Sequence, residues 1–184
     1  MQNELATRWV KEYGDMLYRY ALPRVSDGAI AKDLVQETFL SAWRNVDNYK
    51  GEASEKNWLF TILKNKIIDH YRKASSRLSD IVDTSVGENN FDEKGHWKKE
   101  TQPTDWGIDY NTAIEQKEFY SILELCKSKL KQIQNAVFSM KYLDGIESDE
   151  ICKELNITAA NYWVLMHRAK LQLRGCLEKN WFLK

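Results

Sequence analysis

The sequence predicts an all-α protein of two helical domains joined by a long flexible linker. The chain has only eight Gly and two Pro in 184 residues, and it has runs rich in Leu, Lys, Glu and Ile. Its apolar residues recur at intervals of three or four, the spacing of amphipathic helices. The predicted domains span residues 1–74 and 113–184, and the linker spans 75–112.

Residues 1–74 contain three predicted helices. The first carries an apolar stripe from Leu5 to Tyr20, and the segment from Pro23 to Gly28 is expected to break it. Ser26 or Asp27 can cap the second helix, which is predicted to end near residue 46. A turn-rich loop over 47–56 precedes a third helix over 57–73. The inward-facing residues of the second and third helices are predicted to be Ala31, Leu34, Val35, Thr38, Phe39, Ala42, Leu59, Ile62, Leu63, Ile67 and Tyr71.

The predicted linker has no sustained helical period and is rich in Ser, Asp, Glu, Asn and Thr. Such a long stretch is unusual within a compact domain but natural between two domains. Phe91, Trp97, Trp106 and Tyr110 indicate that parts of it dock on another surface.

Residues 113–184 contain four predicted helices, the first two over about 113–127 and 129–143. Ser148 begins a short third helix, and the turn Asn156-Ile157-Thr158 separates it from the last one. That last helix places Tyr162, Met166, Ala169 and Leu173 on one face. Two helices joined by so short a turn, the second ending in basic residues, form a helix-turn-helix pattern.

The net charge is zero, but its distribution is uneven. Residues 1–74 hold twelve basic and ten acidic side chains, 75–112 hold four and eight, and 113–184 hold eleven and nine. Basic residues concentrate at 64–77 and 162–184. Because few phosphates can be neutralised, we expect the free protein to bind DNA weakly and a larger partner to supply most of the affinity.

The sequence predicts neither an enzyme nor a metal or cofactor site. The three His are far apart, and no zinc-protease, hydrolase or phosphate-binding motif occurs. The three Cys form no C-x-x-C pair and lie among apolar helical residues, so Cys126, Cys152 and Cys176 are expected to be buried free thiols. No apolar run is long enough to span a bilayer, and no signal peptide is evident, so we expect a cytoplasmic protein without membrane insertion.

Four segments resemble a known family. They are IAKDLVQETFLSAW at 30–43, WLFTILKNKIIDHYR at 58–72, DGIESDEICKEL at 144–155 and HRAKLQLR at 167–174. Together they resemble the extracytoplasmic-function sigma factors, the small promoter-recognition subunits of bacterial RNA polymerase. The resemblance implies core RNA polymerase, promoter DNA and an anti-sigma factor as partners, and control of a stress or envelope-response regulon.

The resemblance also implies a polymerase-binding site on the outward side of the second helix. In the family this segment binds the coiled-coil clamp of the largest polymerase subunit, and carboxylate and amide groups suit a partner rich in Arg. Without the resemblance, the same side chains would be read as a solvated polar face. The implied residues are Asp33, Gln36, Glu37 and Leu40.

The loop over 49–56 and the start of the third helix over 58–66 resemble the part of the family that captures the melted minus-ten element. Asn65 matches the family's base-reading Asn, and its amide carries both a donor and an acceptor. Asp69 and Arg72 have a simpler interpretation as a surface pair three residues apart, and Trp58 is expected in the core. The implied minus-ten residues are Lys64, Asn65, Lys66, Asp69, Arg72 and Lys73.

The last helix resembles the family's minus-thirty-five reader, with one departure. Relatives usually carry Arg or Lys at the positions of Trp163 or Leu165, so apolar contact with thymine methyls, or readout by His167 and Arg168, is expected instead. Packing of Trp163 against the linker or another protein is an equal alternative. The implied DNA-binding residues are Asn161, Trp163, His167, Arg168 and Lys170.

A stand-alone helix-turn-helix regulator with a helical sensing domain is the alternative function. Such a protein usually dimerises and binds a palindrome unaided. The balanced charge and the long predicted linker count against it.

Overall fold

The computed structural model describes residues 2–76 and 113–182, and both ranges are almost entirely helical. A 3₁₀ turn, Val46–Asn48, follows the second helix, and a π-helical turn, Glu178–Phe182, follows the last. The predicted linker, apart from the end of the third helix at Ser76, lies outside the described residues, as do its four aromatic residues. The helices are α1 Gln2–Val25, α2 Gly28–Arg44, α3 Glu55–Ser76, α4 Ala113–Lys127, α5 Gln132–Tyr142, α6 Ser148–Leu155 and α7 Ala159–Leu177.

The all-α fold with a helix-turn-helix in the second domain is confirmed, and α1 ends within the segment from Pro23 to Gly28 that was predicted to break it. Pro23 lies inside the last turn of α1, which continues to Val25. Proline lacks the backbone N–H that would bond the carbonyl four residues earlier, which is that of Arg19. Separately, the last carbonyls of a helix have no partner within it, and here side chains from other helices bond two of them. Lys127 donates to the Pro23 carbonyl, and Asn135 donates to the Arg24 carbonyl at 2.7 Å.

The junction between α1 and α2 is tight because two residues end one helix and start the next. Ser26 adopts a left-handed conformation, with φ of 52°. Asp27 then caps α2, its carboxylate accepting from the backbone N–H groups of Ala29 at 2.8 Å and Ile30 at 3.1 Å. Of the two predicted capping residues, Asp27 is therefore the one that caps α2.

One hydrophobic core runs through both helical domains. The predicted inward faces of α2 and α3 are buried, except that Phe39 and Ile62 are half-buried. The same cluster extends from Trp9 in α1 to Met166 in α7, because α1 packs on α5 and α3 packs on α5 and α6. The two domains are thus in direct contact.

A second, smaller cluster lies between α4 and α7 and contains a disulfide bond. Cys126 and Cys176 are bonded, with Cα atoms 5.7 Å apart. Cys152 is a free thiol and is half-buried. The prediction of three buried free thiols is therefore wrong. The two bonded residues are 50 positions apart and meet only because α4 packs against α7.

Candidate polymerase and DNA interfaces

The outer face of α2 carries all four residues predicted to bind polymerase. Asp33, Gln36, Glu37 and Leu40 are exposed and follow one another at helical spacing. The opposite face of α2 is fixed in the core by residues such as Ala31 and Thr38. This anchoring holds the four side chains in place toward solvent.

An apolar groove adjoins this face, between α1 and α2, and the sequence analysis missed it. The groove is open, encloses about 610 Å³, and is lined by Ala6, Thr7, Val10, Gln36, Phe39, Leu40 and Trp43. Val10, Leu40 and Trp43 are 54%, 52% and 42% exposed. Exposed apolar residues that cluster in this way mark interaction surfaces. In the sequence, Val10, Leu40 and Trp43 lie outside the apolar stripes of α1 and α2, and this position could have indicated an apolar surface.

The predicted minus-ten residues on α3 divide into two groups. Asn65, Asp69, Arg72 and Lys73 are exposed and recur at the spacing of one helical face. Lys66 is separate: it is half-buried on the flank that meets α2, where its amine lies 3.4 Å from a Glu37 carboxylate oxygen.

Lys64 occupies the other flank of the same face. It is exposed, and its amine lies 6.0 Å from the centre of the Tyr20 ring. At that distance a cation interacts with the ring face. The Lys64 amine is therefore directed toward α1, while the side chain stays exposed.

Arg72 is already bonded on both sides in this structure. Its guanidinium lies 3.1 Å from an Asp69 oxygen, which is the surface pair considered from the sequence. The same guanidinium donates to the backbone carbonyl of Glu154 at 2.7 Å and to the Glu154 carboxylate at 2.5 Å. Glu154 belongs to α6, so this contact crosses between the domains.

The loop before α3 is built on an aromatic stack. The Tyr49 ring stacks on Trp58 with centroids 4.7 Å apart, and Trp58 meets the edge of the buried Trp9 ring at 5.8 Å. The Tyr49 hydroxyl donates to the carbonyl of Ala53 within the same loop. Trp58 is half-buried and connects the loop to the core.

The helix-turn-helix consists of α6 and α7. Asn156 ends α6 in a left-handed conformation, with φ of 52°. The Thr158 hydroxyl caps α7 by accepting from the Asn161 N–H at 3.2 Å. Tyr162 and the rest of the predicted inward face of α7 are buried.

The outward face of α7 begins with exposed apolar residues. Trp163 is 63% exposed and Val164 is 46% exposed. Asn161 is also exposed. Leu165 is buried at 9% exposure, so it belongs to the core, and of these two positions only Trp163 can contact a partner.

Polar and cationic residues follow one turn later on α7. Lys170 is exposed, with its amine 5.5 Å from the centre of the Tyr142 ring, and His167 and Arg168 are half-buried. Burial lowers the pKa of His167, and nearby Lys170 lowers that pKa further. The imidazole is therefore neutral at pH 7, with one donor and one acceptor nitrogen.

Within 2–76 and 113–182, no three His, Cys, Asp or Glu side chains form a cluster that could hold a metal ion. No helix in these ranges is both long enough and apolar enough to cross a membrane.

The fold and the helix-turn-helix define a DNA-binding transcription protein, and sequence comparison identifies the family. Residues 9–77 match Sigma-70 region 2, and residues 120–173 match Sigma-70, region 4. The chain is 36% identical over 179 residues to a probable RNA polymerase sigma factor of Haemophilus influenzae, covering 96% of this chain and 92% of that protein. The chain belongs to the RNA polymerase sigma factors, in the extracytoplasmic-function group. It is thus a transcription initiation factor and not an enzyme.

Other similarities are more distant. The chain is 24% identical to the ECF RNA polymerase sigma factor SigX of Bacillus subtilis, over 90% of this chain and 80% of that protein. It is also similar to the sigma factor RpoE in a co-crystal structure with the anti-sigma factor NepR from Bartonella quintana. That match has 19% identity, covers 95% of this chain and 97% of the other, and has a TM-score of 0.43.

Proposed function

We propose that three exposed surfaces of this sigma factor have separate binding roles. The outer face of α2 binds core RNA polymerase, α3 and the loop before it capture the melted minus-ten element, and α7 contacts the minus-thirty-five element. The observation that carries this proposal is the anchoring of these helices. Each buries one face in the core and exposes a face with side chains suited to its partner.

The polymerase site would combine charge with apolar contact. Asp33 and Glu37 can bond cations on a partner helix. Leu40, Val10 and Trp43 line the neighbouring groove, which suits an apolar ridge of the same partner. We therefore expect an amphipathic helix with Arg or Lys along one edge to bind here.

The minus-ten site would read a base and hold a strand. Asn65 is exposed on α3 and can bond one base edge, while Lys64, Arg72 and Lys73 lie within eight residues of it and can bond phosphates. Extruding a base from the duplex requires a receiving surface. Tyr49, stacked on Trp58 at the start of α3, offers such an aromatic platform.

The minus-thirty-five site would use the exposed face of α7. A recognition helix reads bases from its N-terminal half, where Asn161 and Trp163 lie. His167 can follow them in the groove, and Arg168 and Lys170 are placed to contact the backbone. The large exposed area of Trp163 favours apolar contact with thymine methyl groups.

We further propose, from the family, that the protein acts in the cytoplasm with the polymerase. An anti-sigma factor would restrain it, and the genes it controls would form a stress or envelope-response regulon.

Reconstituted transcription tests the proposal. Core polymerase with this protein should start transcripts at specific sites on fragmented DNA of the source genome, and core polymerase alone should not. The isolated protein should not bind a palindromic duplex tightly in a gel-shift titration. Tight palindrome binding without polymerase would instead support a stand-alone regulator.

A further inference from the structure

We propose that the disulfide between Cys126 and Cys176 is a reversible redox switch, which holds α4 on α7 and releases it when a dithiol reduces the bond. Disulfides are rare where thiols are kept reduced, and those that form there are usually transient and redox-sensing. The switch therefore rests on the proposed action of the protein in the cytoplasm. It is independent of how the protein binds polymerase or DNA.

The bond joins the last turn of α4 to the last turn of α7. Cys126 is 1% exposed, Cys176 is half-buried, and their Cα atoms lie 5.7 Å apart. The bond lies next to 128–131, the connection between α4 and α5. While the bond is closed, the last turn of α4 is fixed on α7 and this connection cannot act as a hinge. Once the bond opens, α4 can pivot about it.

The other contacts of α4 are modest. Among its described residues Cys126 is the one buried apolar side chain, and a helix of 15 residues is marginal by itself in water. The inward-facing apolar residues that precede it are only half-buried: Phe119, Ile122 and Leu123. Lys127 is buried and donates to the Pro23 carbonyl, but the cost of desolvating its amine offsets part of that gain. The attachment of α4 thus depends largely on the bond.

The recognition half of α7 is anchored independently of the bond. Tyr162, Leu165 and Met166 belong to the main hydrophobic core, whereas Cys176 lies at the other end of the helix, in the smaller cluster. Opening the bond should therefore release α4 without displacing the residues proposed to read the minus-thirty-five element.

Cys176 is the accessible sulfur of the pair. The preceding residue, Gly175, is exposed and borders open space, so a reductant can approach. The side-chain amide of Asn180 donates to the Cys176 sulfur at 3.5 Å and to the Cys176 carbonyl at 2.7 Å. Because a hydrogen bond to a charged form favours that form, the same amide can stabilise a Cys176 thiolate.

Reduction follows thiol–disulfide exchange. One thiolate of the dithiol attacks the Cys176 sulfur, and Cys126 leaves with the electron pair and takes a proton. The second thiol of the reductant then displaces Cys176 and closes the reductant's own disulfide, so two electrons and two protons have passed to the protein. Hydrogen peroxide reverses the change. The Cys176 thiolate takes one oxygen atom to become a sulfenic acid, the Cys126 thiol attacks that sulfur, and two waters leave in all.

Release of α4 would give redox control over the lifetime of the protein. A released helix exposes its backbone and its inward face, and proteolysis follows the population of the open form. Oxidising conditions should therefore lengthen the lifetime of this factor, and reducing conditions should shorten it.

The first test is whether the bond is reversible. Cys152→Ser leaves Cys126 and Cys176 as the only cysteines. In a buffer of reduced and oxidised dithiothreitol set to the cytosolic poise, most of this protein should become reduced, as measured by the mass that a maleimide adds. Hydrogen peroxide should restore the bond. A bond that stays closed in this buffer would be a permanent structural disulfide and would overturn the switch.

Hydrogen exchange tests the release of α4, because the oxidised and reduced forms of Cys152→Ser have the same sequence. On reduction the amides of 119–127 should exchange at least about tenfold faster, an effect at the low end for a disulfide because the connection it constrains is short. The amides of 162–166 should change much less. Equal exchange of α4 in both forms would overturn the release. Equal acceleration at 162–166 would also overturn it, because the whole domain would then have loosened.

Proteolysis and transcription complete the test. Subtilisin should cut the reduced form first between 113 and 131, and should cut Cys126→Ala/Cys176→Ala at the reduced rate in both buffers. Cleavage of that variant at the oxidised rate would overturn control by the bond. Wild-type protein that starts no transcripts with core polymerase would contradict the proposed function. A redox-insensitive α4 in a protein that does start transcripts would overturn the switch alone.

Discussion

Lys66 of α3 lies 3.4 Å from Glu37 of α2, with the two side chains 27% and 59% exposed. This ion pair joins a residue predicted to bind DNA to one predicted to bind polymerase. Lys66 therefore faces the α2 side of α3, away from the face that carries Asn65. We expect its substitution to affect polymerase binding more than base recognition.

Charge reversal on α2 should separate binding from folding. Asp33→Lys/Glu37→Lys should lower holoenzyme assembly at least tenfold, because both carboxylates are exposed and would meet a cationic partner. Helicity and melting temperature should change little. Pull-down with core polymerase measures assembly, and Asp15→Lys, at an exposed position of α1, is the control. Wild-type pull-down would place the polymerase site elsewhere.

Asn65→Ala should impair strand opening. The side chain is exposed on α3, so its loss should leave stability nearly unchanged. Losing one base-edge contact is worth about 1–3 kcal/mol, which predicts about a ten- to hundredfold loss of open complexes. Permanganate footprinting detects the melted bases. Arg168→Ala should instead weaken the initial closed complex and reduce its salt dependence. Intact opening by Asn65→Ala on every promoter tested would contradict the base-capture role.

Trp163 should discriminate thymine from uracil in the minus-thirty-five element. Replacing thymines there with uracil removes the methyl groups and should weaken wild-type holoenzyme binding. Trp163→Ala should bind both duplexes equally, because the apolar partner is gone. The control Tyr120→Ala removes a similarly exposed aromatic residue from α4 and should keep the preference. Undiminished preference in Trp163→Ala would assign the methyl contact to another residue.

The disulfide should stabilise the second domain. Closing a loop of about 50 residues contributes about 2–4 kcal/mol, mostly through the unfolded chain. Denaturant unfolding with and without a reductant should show this difference in wild type and in Cys152→Ser. Cys126→Ser should be insensitive to reductant. Equal wild-type stability in both conditions would show that the bond contributes nothing to folding.

Alkaline pH should lower the free energy of unfolding through two tyrosines, Tyr20 and Tyr71. Burial raises the pKa of Tyr71, and burial followed by nearby Asp144 raises the pKa of Tyr20 to about 12, from an ordinary value of 10.0. The unfolded chain thus loses these protons at lower pH than the folded chain. Their contribution to stability is present below about pH 10 and is lost as the pH rises toward 12.

Tyr71→Phe tests this pH dependence. It removes a hydroxyl that donates to the Arg24 carbonyl at 2.7 Å, so it should cost about 1 kcal/mol at pH 7. Its unfolding free energy should then fall less steeply than that of wild type above pH 10. Urea titrations at several pH values measure both effects, with Tyr120→Phe as the exposed control. An unchanged slope would mean that Tyr71 does not titrate differently on folding.

The sequence predicted those features of the fold that depend on local pattern. The stripe from Ala31 to Ala42 follows from helical spacing. A cap at Ser26 or Asp27 follows from side chains that can accept from the first backbone N–H groups of α2, and the structure decides for Asp27. The end of α1 followed to within the segment from Pro23 to Gly28, but the bond to the Pro23 carbonyl from Lys127, over one hundred residues later, did not follow. The disulfide and the ion pairs of Arg24 with Asp144 and of Arg72 with Glu154 were likewise hidden, because each depends on how separate helices pack.

For the candidate sites too, the sequence predicted exposure but not contacts between separate helices. Exposure of Asp33, Asn65 and Trp163 follows from their positions relative to the apolar stripes. The bonding of Arg72 to Glu154 and the burial of Leu165 required the tertiary structure. A residue's face on its helix was predictable, but its neighbours were not.

The groove between α1 and α2 has a consequence for the amount of protein a cell can tolerate. Val10, Leu40 and Trp43 are about half exposed to water, and burying apolar surface is favourable by about 25 cal/mol per Å². Copies that exceed the supply of partner sites will tend to cover these grooves by self-association. We therefore expect a partner that covers the groove to suppress self-association of this protein at high concentration.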